Sequence, residues 1–371
     1  MRWKQGNKIC LKRRNNLKIY NIKMFRALAI LTTLSLIVFA NIISIPVLAI
    51  SPPPSVEPSI ATTIHALPEP PSGFNPLTAT PAELQMYGFP PKPTDEDALL
   101  AWEKAVMAAK YWVNPQLCFV DNIVHTEQQP PCDSVDSGNG QGEWAGIAVQ
   151  SQYNNNVGYN LSTIEFNVPT YQKGLGQGEI ASYWTGIGGI NINQLGNNIS
   201  NLIVQAGVDT NLTYYPSSNY PTLPLGTNYA AFWEFHNGSN NPTGYIQNLT
   251  VSANDDIYIS VSCNQTPPYS AYMWYDDETS GQYAAFLETL PQGYDNCSAE
   301  WEYERVAGTE DSISDVNLHN CYLQNDNSTW GDFDAFHWTR CQIGNYNWLG
   351  LFVPHYEPTN IGTSSFTIHK Q

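Results

Sequence analysis

Two polar side chains stand where apolar ones are expected. Gln205 lies inside Leu202-Ile203-Val204-Gln205-Ala206-Gly207-Val208-Asp209, and Glu304 closes Ala299-Glu300-Trp301-Glu302-Tyr303-Glu304. Both runs read as buried strands. A carboxylate can take a proton from water, and a carboxamide N–H can donate to the oxygen of a polarised carbonyl. The pair therefore offers hydrolysis by an activated water, with no covalent intermediate and no metal. Alternate side chains of a strand share a face. Val204, Ala206 and Val208 make one apolar face, which leaves Gln205 and Asp209 on the other with Gly207 between them. Glu300, Glu302 and Glu304 likewise share a face, opposite Trp301 and Tyr303. Three acids on one face repel each other when ionised, which raises some of their pKa values. Such a face is a hydrated surface or a site. In Ala230–His236, Phe232 and Glu234 also share a face.

The same residues fit two other classes. Glu-x-Glu-x-Glu on one strand matches the paired carboxylates that flank a glycosidic bond in a β-sandwich glycoside hydrolase, with aromatic rings as sugar platforms. A non-catalytic lectin-like module would bind sugars through Trp and Asn. No serine nucleophile motif, zinc spacing or phosphate loop is present, and no helix follows Gly186-Ile187-Gly188-Gly189. The residues thus call for no cofactor.

These residues need strands to hold them. Short β-rich runs between Gly, Pro and Asn turns begin at Glu143. Examples are Trp144–Gln150, Ser162–Val168, Ala181–Ile187, Leu202–Asp209, Ala230–Phe235, Ile257–Cys263, Tyr272–Asp276, Ala284–Leu287, Ala299–Glu304 and Ser365–His369. With almost no helical periodicity among them, they predict an all-β antiparallel sandwich over 136–371. Residues 50–135 read as a leader-like segment. Its Pro-rich part, 51–96, should be extended and poorly packed. One helix is predicted over Asp95–Val113, capped by Thr94 or Asp95, with Ala98, Leu99, Trp102, Ala105, Val106 and Ala109 on one stripe. The segment serves either as a propeptide that blocks the cleft or as a retained accessory region.

Residues 1–49 read as an export signal: a basic n-region, an apolar run over Ala27–Ile50, and a small residue, Ala49, for cleavage. Met24 would begin a more ordinary signal. The run is long enough to span a bilayer, but Asn41, Pro46 and the prolines that follow favour cleavage, leaving a secreted chain without stable membrane association. After Ala49 only 7 Lys and Arg stand against 33 Asp and Glu. That balance argues against nucleic acid and anionic membrane as partners. It also suits work in acid, where protonated carboxyls leave few bases to repel one another. We expect a monomer. Six cysteines lie outside the signal, an even number that predicts disulfides, by proximity Cys118–Cys132, Cys263–Cys297 and Cys321–Cys341. Asn-x-Ser/Thr sequons at Asn160, Asn198, Asn211, Asn237, Asn248, Asn264, Asn296 and Asn327 offer surface glycan sites.

Six motifs in order carry a resemblance: Trp144-Ala145-Gly146, Phe166-Asn167-Val168-Pro169, Trp184-Thr185-Gly186-Ile187-Gly188-Gly189, the Gln205 strand, Phe232-Trp233-Glu234-Phe235 and the Glu304 strand. Together they resemble the glutamic peptidases, the eqolisin family, over roughly 143–370. The upstream Pro71–Leu77 and Leu84–Pro93 resemble the leader of bacterial-type relatives. The resemblance implies two bent antiparallel sheets in a concanavalin- or lectin-like jelly roll. It implies a secreted acid endopeptidase acting on polypeptides, with Gln205 and Glu304 as the catalytic pair on the concave face. Trp144, Trp184, Asp209 and Glu234 are the expected substrate-binding or site-shaping groups. The chain departs from the family pattern at Gly188 and Ala230, where Asp is usual, and at Glu143, where Asn is usual. Those changes bear on subsite preference.

Overall fold

The computed structural model describes residues 63–119, 133–135, 143–170, 180–190, 202–210, 212, 228–236, 243–264, 266–267, 269–289, 294–307, 315–349 and 351–370. The expected export signal over 1–49, residues 51–62 and residues 137–142, which are rich in Gly, lie outside them. Among the described residues no helix is long and apolar enough to cross a membrane.

The strands run in chain order as β1 (Thr63–Ala66), β2 (Tyr111–Trp112), β3 (Leu117–Phe119), β4 (Asp133–Val135), β5 (Glu143–Gln150), β6 (Tyr159–Asn167) and β7 (Ile180–Gly188). Then come β8 (Ile203–Thr210), β9 (Tyr229–His236), β10 (Thr243–Ile246), β11 (Asp256–Asn264), β12 (Ser270–Asp277) and β13 (Gln282–Thr289). The last six are β14 (Ser298–Ala307), β15 (Val316–Asn325), β16 (Trp330–Asp332), β17 (Trp338–Tyr346), β18 (Phe352–Thr359) and β19 (Phe366–Lys370). One sheet, here the site sheet, has the order β3-β10-β9-β8-β7-β14-β5-β17. The other, the back sheet, runs β13-β12-β11-β6-β15, continues through β19 and β18 to β17, and ends on β4. All pairings are antiparallel except β2 on β13 and β4 on β17. Strand β17 joins the layers: Trp338–Cys341 pair with β5, and the residues after them pair with β4 and β18.

The sequence alternation explains the layering. Ile147, Val149, Tyr183, Val204, Ala206, Val208, Trp233, Trp301 and Tyr303 from the site sheet meet Ile164, Phe166, Ile259, Val261, Met273 and Phe286 from the back sheet in one buried cluster. Polar groups cross this core where they find partners. Trp301 Nε1 donates to Thr163 O at 2.6 Å, and the Tyr275 hydroxyl donates to Phe232 O.

All ten expected strands form, each within a few residues of its expected bounds. Several went unread. β15 carries a bulge at Asn320, whose φ of 51° breaks the two-residue alternation. β17 shows no constant alternation because it changes sheets. The helix covers Glu96–Ala108, not Asp95–Val113: Asp95 caps it through Ala98 N (2.9 Å), and Lys110 and Tyr111 turn away to donate to Gly281 O. The expectation of a poorly packed 51–96 fails for its described part. Pro81–Met86 is a helix with a Thr80–Glu83 capping box, and Phe74, Tyr87 and Phe89 pack with Trp102 against Tyr258, Trp274 and Tyr283 on the outer face of the back sheet. Aromatic burial outweighs the proline content there.

Two of the three proximity pairings of cysteines, Cys263–Cys297 and Cys321–Cys341, are not formed. Cys263, Cys297, Cys321 and Cys341 are thiols. Cys297 Sγ donates to Ile190 O at 3.2 Å, and Cys321 sits in the inter-sheet core. Cys132 and the Cys118 side chain lie outside what is described. Two sequon amides are engaged internally, Asn248 Nδ2 on Asn114 O and Asn296 Nδ2 on Asp326.

Candidate active site

The outer face of the site sheet carries three rows of side chains, each running across β9, β8, β7, β14 and β5. The first is Ala230, Asp209, Ser182, Glu304 and Trp144. The second is Phe232, Gly207, Trp184, Glu302 and Gly146. The third is Glu234, Gln205, Gly186, Glu300 and Ala148. All six residues expected at the site therefore share one face, as the alternation in their strands requires. None is more than 2% exposed.

Glycines make room for the larger members. A Cβ on Gly207 would lie 2.5 Å from Trp184 Cβ and 2.6 Å from Phe232 Cε1. A Cβ on Gly146 would lie 2.4 Å from Glu302 Oε2 and 2.1 Å from Trp301 O. Phe232 and Trp184 thus lean over Gly207, and the Glu302 carboxylate over Gly146.

Each candidate has a holding partner. Gln205 Nε2 donates to Glu234 Oε2 at 2.8 Å, and Gln205 Oε1 has no hydrogen-bond partner among the described residues. Trp184 Nε1 donates to Glu304 Oε2 at 3.1 Å. Trp144 packs edge-on against Trp184, centroids 4.9 Å apart at 78°. Asp209 is tied down on both oxygens, by the Ser182 hydroxyl and by Tyr245 OH at 2.5 Å. The charge of Glu234 is felt in the other layer. Burial first, and then Glu234, pushes Glu288 of β13 up to about 8.

Gln205 and Glu304 are not strand neighbours. β7 runs between them, and their rows are four residues apart along it, Gly186 facing Gln205 and Ser182 facing Glu304. On a flat sheet that places the two Cα atoms roughly 16 Å apart. Trp184, midway along β7, lies on the diagonal.

Sequence reading missed Ser182 and Tyr245, the partners of Asp209. Ser182 had a signal, because it shares the parity of Trp184. Tyr245 sits in β10, a four-residue strand too short to show alternation. The described residues also bring Glu165, Asp256 and His319 together, their donor atoms within 4.8 Å of one another as a metal site would require. That group is on the back sheet, and Lys104 Nζ already lies against Glu165 and Asp256.

The sequence matches the peptidase A4 family over residues 142–347, more than half of the chain. The chain belongs to that family. This A4 peptidase is accordingly a hydrolase of the glutamic type, and the glycosidase and lectin readings of the acidic strand give way. Solved structures similar to it include scytalido-glutamic peptidase with a peptide-based transition state analog, at 18% identity and a TM-score of 0.42, covering 63% of this chain and 99% of that one. SCP-B, an eqolisin in complex with the tripeptide Ala-Ile-His, gives 18%, 0.41, 63% and 99% in the same order. Aspergilloglutamic peptidase from Aspergillus niger gives 21%, 0.36, 52% and 100%. No curated protein matches the sequence.

Proposed function

We propose that this A4 peptidase is a secreted, monomeric acid endopeptidase that cleaves polypeptides with a water activated by Glu304 and a carbonyl polarised by Gln205. The observation that carries the reading is the shared outer face, on which Glu304 and Gln205 are each held by a separate neighbour. Trp184 stands on the diagonal between Glu304 and Gln205 and donates to Glu304; in this reading the water and the scissile carbonyl bind beside its ring. Glu304 takes a proton from the water as it attacks. Gln205 has two N–H groups. One is held by Glu234, and the other donates to the developing oxyanion, a contribution of about 3 kcal/mol in a dry site. Its Oε1 accepts from the attacking water. Protonated Glu304 then delivers the proton to the leaving amine, so the cycle closes without a covalent intermediate.

Acid operation follows from the shortage of Lys and Arg and from the buried carboxyls described above. Peptide substrates are an extension from the ligands of the similar structures. Cleavage of denatured casein at pH 3–5, in the presence of chelator, is the test. Glu304→Gln and Gln205→Ala should each lower kcat by roughly 100-fold or more. Near-normal turnover by either variant would overturn the assignment.

A further inference from the structure

The outer face of the back sheet holds a charged cluster that the peptidase chemistry leaves unused. Lys104, on the helix Glu96–Ala108, places Nζ against Glu165 of β6, 3.1 Å from Asp256 of β11 and 2.5 Å from Glu278. Glu165 is buried beneath it, takes Asn320 Nδ2 at 2.5 Å and lies 3.1 Å from His319 Nε2 of β15. Asp276 of β12 is fully buried nearby, and neither of its oxygens has a hydrogen-bond partner among the described residues.

The same segment is fastened at four other places. β1 extends the edge of β13 from Thr63↔Thr289 to Ala66↔Phe286. β2 pairs with the start of β13. Trp102 is fully buried against the sheet aromatics, with Nε1 on Pro90 O at 3.0 Å. Asn248 holds Gln116 N at 2.7 Å. All of these contacts lie on the back sheet or at sheet edges, away from the outer face of the site sheet.

We propose that residues 63–117 are a retained clamp of the folded peptidase, pinned to the back sheet by Lys104 in its carboxylate cluster, and are not a propeptide that blocks the catalytic face. Docking stands on the contacts alone. Only the choice of acid as the working condition rests on the functional reading above. The charges support persistence in acid. Burial alone would raise Glu165, but His319, Lys104 and Asn320 outweigh it and hold it at about 2, so the pin keeps an ionised partner through pH 3–5. Burial and then the charge of Glu165 push Glu278 up to about 7. Burial and then Glu278, Asp277 and Glu165 push Asp276 up to about 9. In acid the cluster thus holds Lys104 and protonated His319 against Glu165. Near neutral pH Glu278 adds its charge beside Lys104. Tyr258 from β11 and Tyr322 from β15 also face the cluster, the latter near Asp95 and Asp97 of the helix.

The test places a recognition site for a sequence-specific protease within 120–132 of the full chain. After cutting, gel filtration and mass spectrometry at pH 3.5 and 7.5 follow the N-terminal fragment. The fragment should co-elute with the sandwich at pH 3.5. Lys104→Met should lower Tm by roughly 5 °C, more at pH 7.5 than at pH 4, and Lys104→Arg should restore it. Release of the wild-type fragment at pH 3.5, or loss of residues 63–117 with a gain in activity on acid incubation, would overturn the proposal. So would a Lys104→Met variant with unchanged Tm at both pH values. Retention is read by mass, so a chain without acid peptidase activity would refute the functional reading and leave this one standing.

Discussion

Glu234 decides which way the Gln205 amide faces. By accepting Nε2–H at 2.8 Å it directs the second N–H and Oε1 elsewhere. Glu234→Ala should lower kcat by roughly 10- to 100-fold with little change in KM, because the carboxamide survives but loses its orientation; steady-state kinetics on a fluorogenic peptide measures this. Trp184→Phe keeps a ring over Gly207 and removes the donor to Glu304, so it should lower kcat while leaving Tm nearly unchanged. Gly146→Ala should do the opposite first and destabilise the fold, since its Cβ would lie 2.4 Å from the Glu302 carboxylate; a thermal melt reads it. Gln205 and Glu304 stood out as candidates because Gln205 interrupts an apolar strand and Glu304 closes a run in which acids alternate with aromatics. What holds them was only partly legible. The bond from Trp184 to Glu304 crosses from β7 to β14, 120 residues away in sequence, and no local pattern encodes it. The four-residue offset between Gln205 and Glu304 is a matter of register, which depends on pairing partners and not on either strand alone.

Strands with one apolar face announced themselves, and β8 and β14 are the clearest. β15 did not, because the bulge at Asn320 shifts its inward set from Leu318 to Cys321 and Leu323. Nor did β18, where Pro354 interrupts the run. The end of the helix was over-read because Tyr111 and Trp112 continue the apolar character of the stripe. They pair instead with Gln282 and Tyr283, which is a long-range choice. Prolines at 68–71 and 90–93 suggested a loose chain, whereas Trp102 gives that segment a buried anchor. Trp102→Ala should cost roughly 3–5 kcal/mol, measured by urea denaturation, with the loss falling on docking of the helix rather than on the Gln205 face.

The molecule's response to pH follows from opposed groups. Asp276, Glu278 and Glu288 have folded pKa values of about 9, 7 and 8, above the unfolded value near 4. Their contribution is full below about pH 4 and is lost as pH rises through 7 to 9. His319, also raised, acts in the same sense. Glu165, held at about 2, acts oppositely: its contribution is present above about pH 4 and is lost as pH falls through 2. Stability should therefore peak near pH 3–5 and fall between about pH 5 and about pH 9, and Glu278→Gln should raise Tm at pH 8 with little effect at pH 4. A maximum at pH 8 would contradict this account. The acidic composition pointed toward acid without naming these groups, because burial is a property of the packed sheets. The thiols add a last consequence. Exchange of sulfur bonds needs a thiolate, and burial pushes Cys297 and Cys321 well above the ordinary thiol range. In the folded sandwich these two buried sulfurs are therefore poor partners for exchange, so a thiol-labelling reagent at neutral pH should reach Cys297 and Cys321 only after the sheets are unfolded.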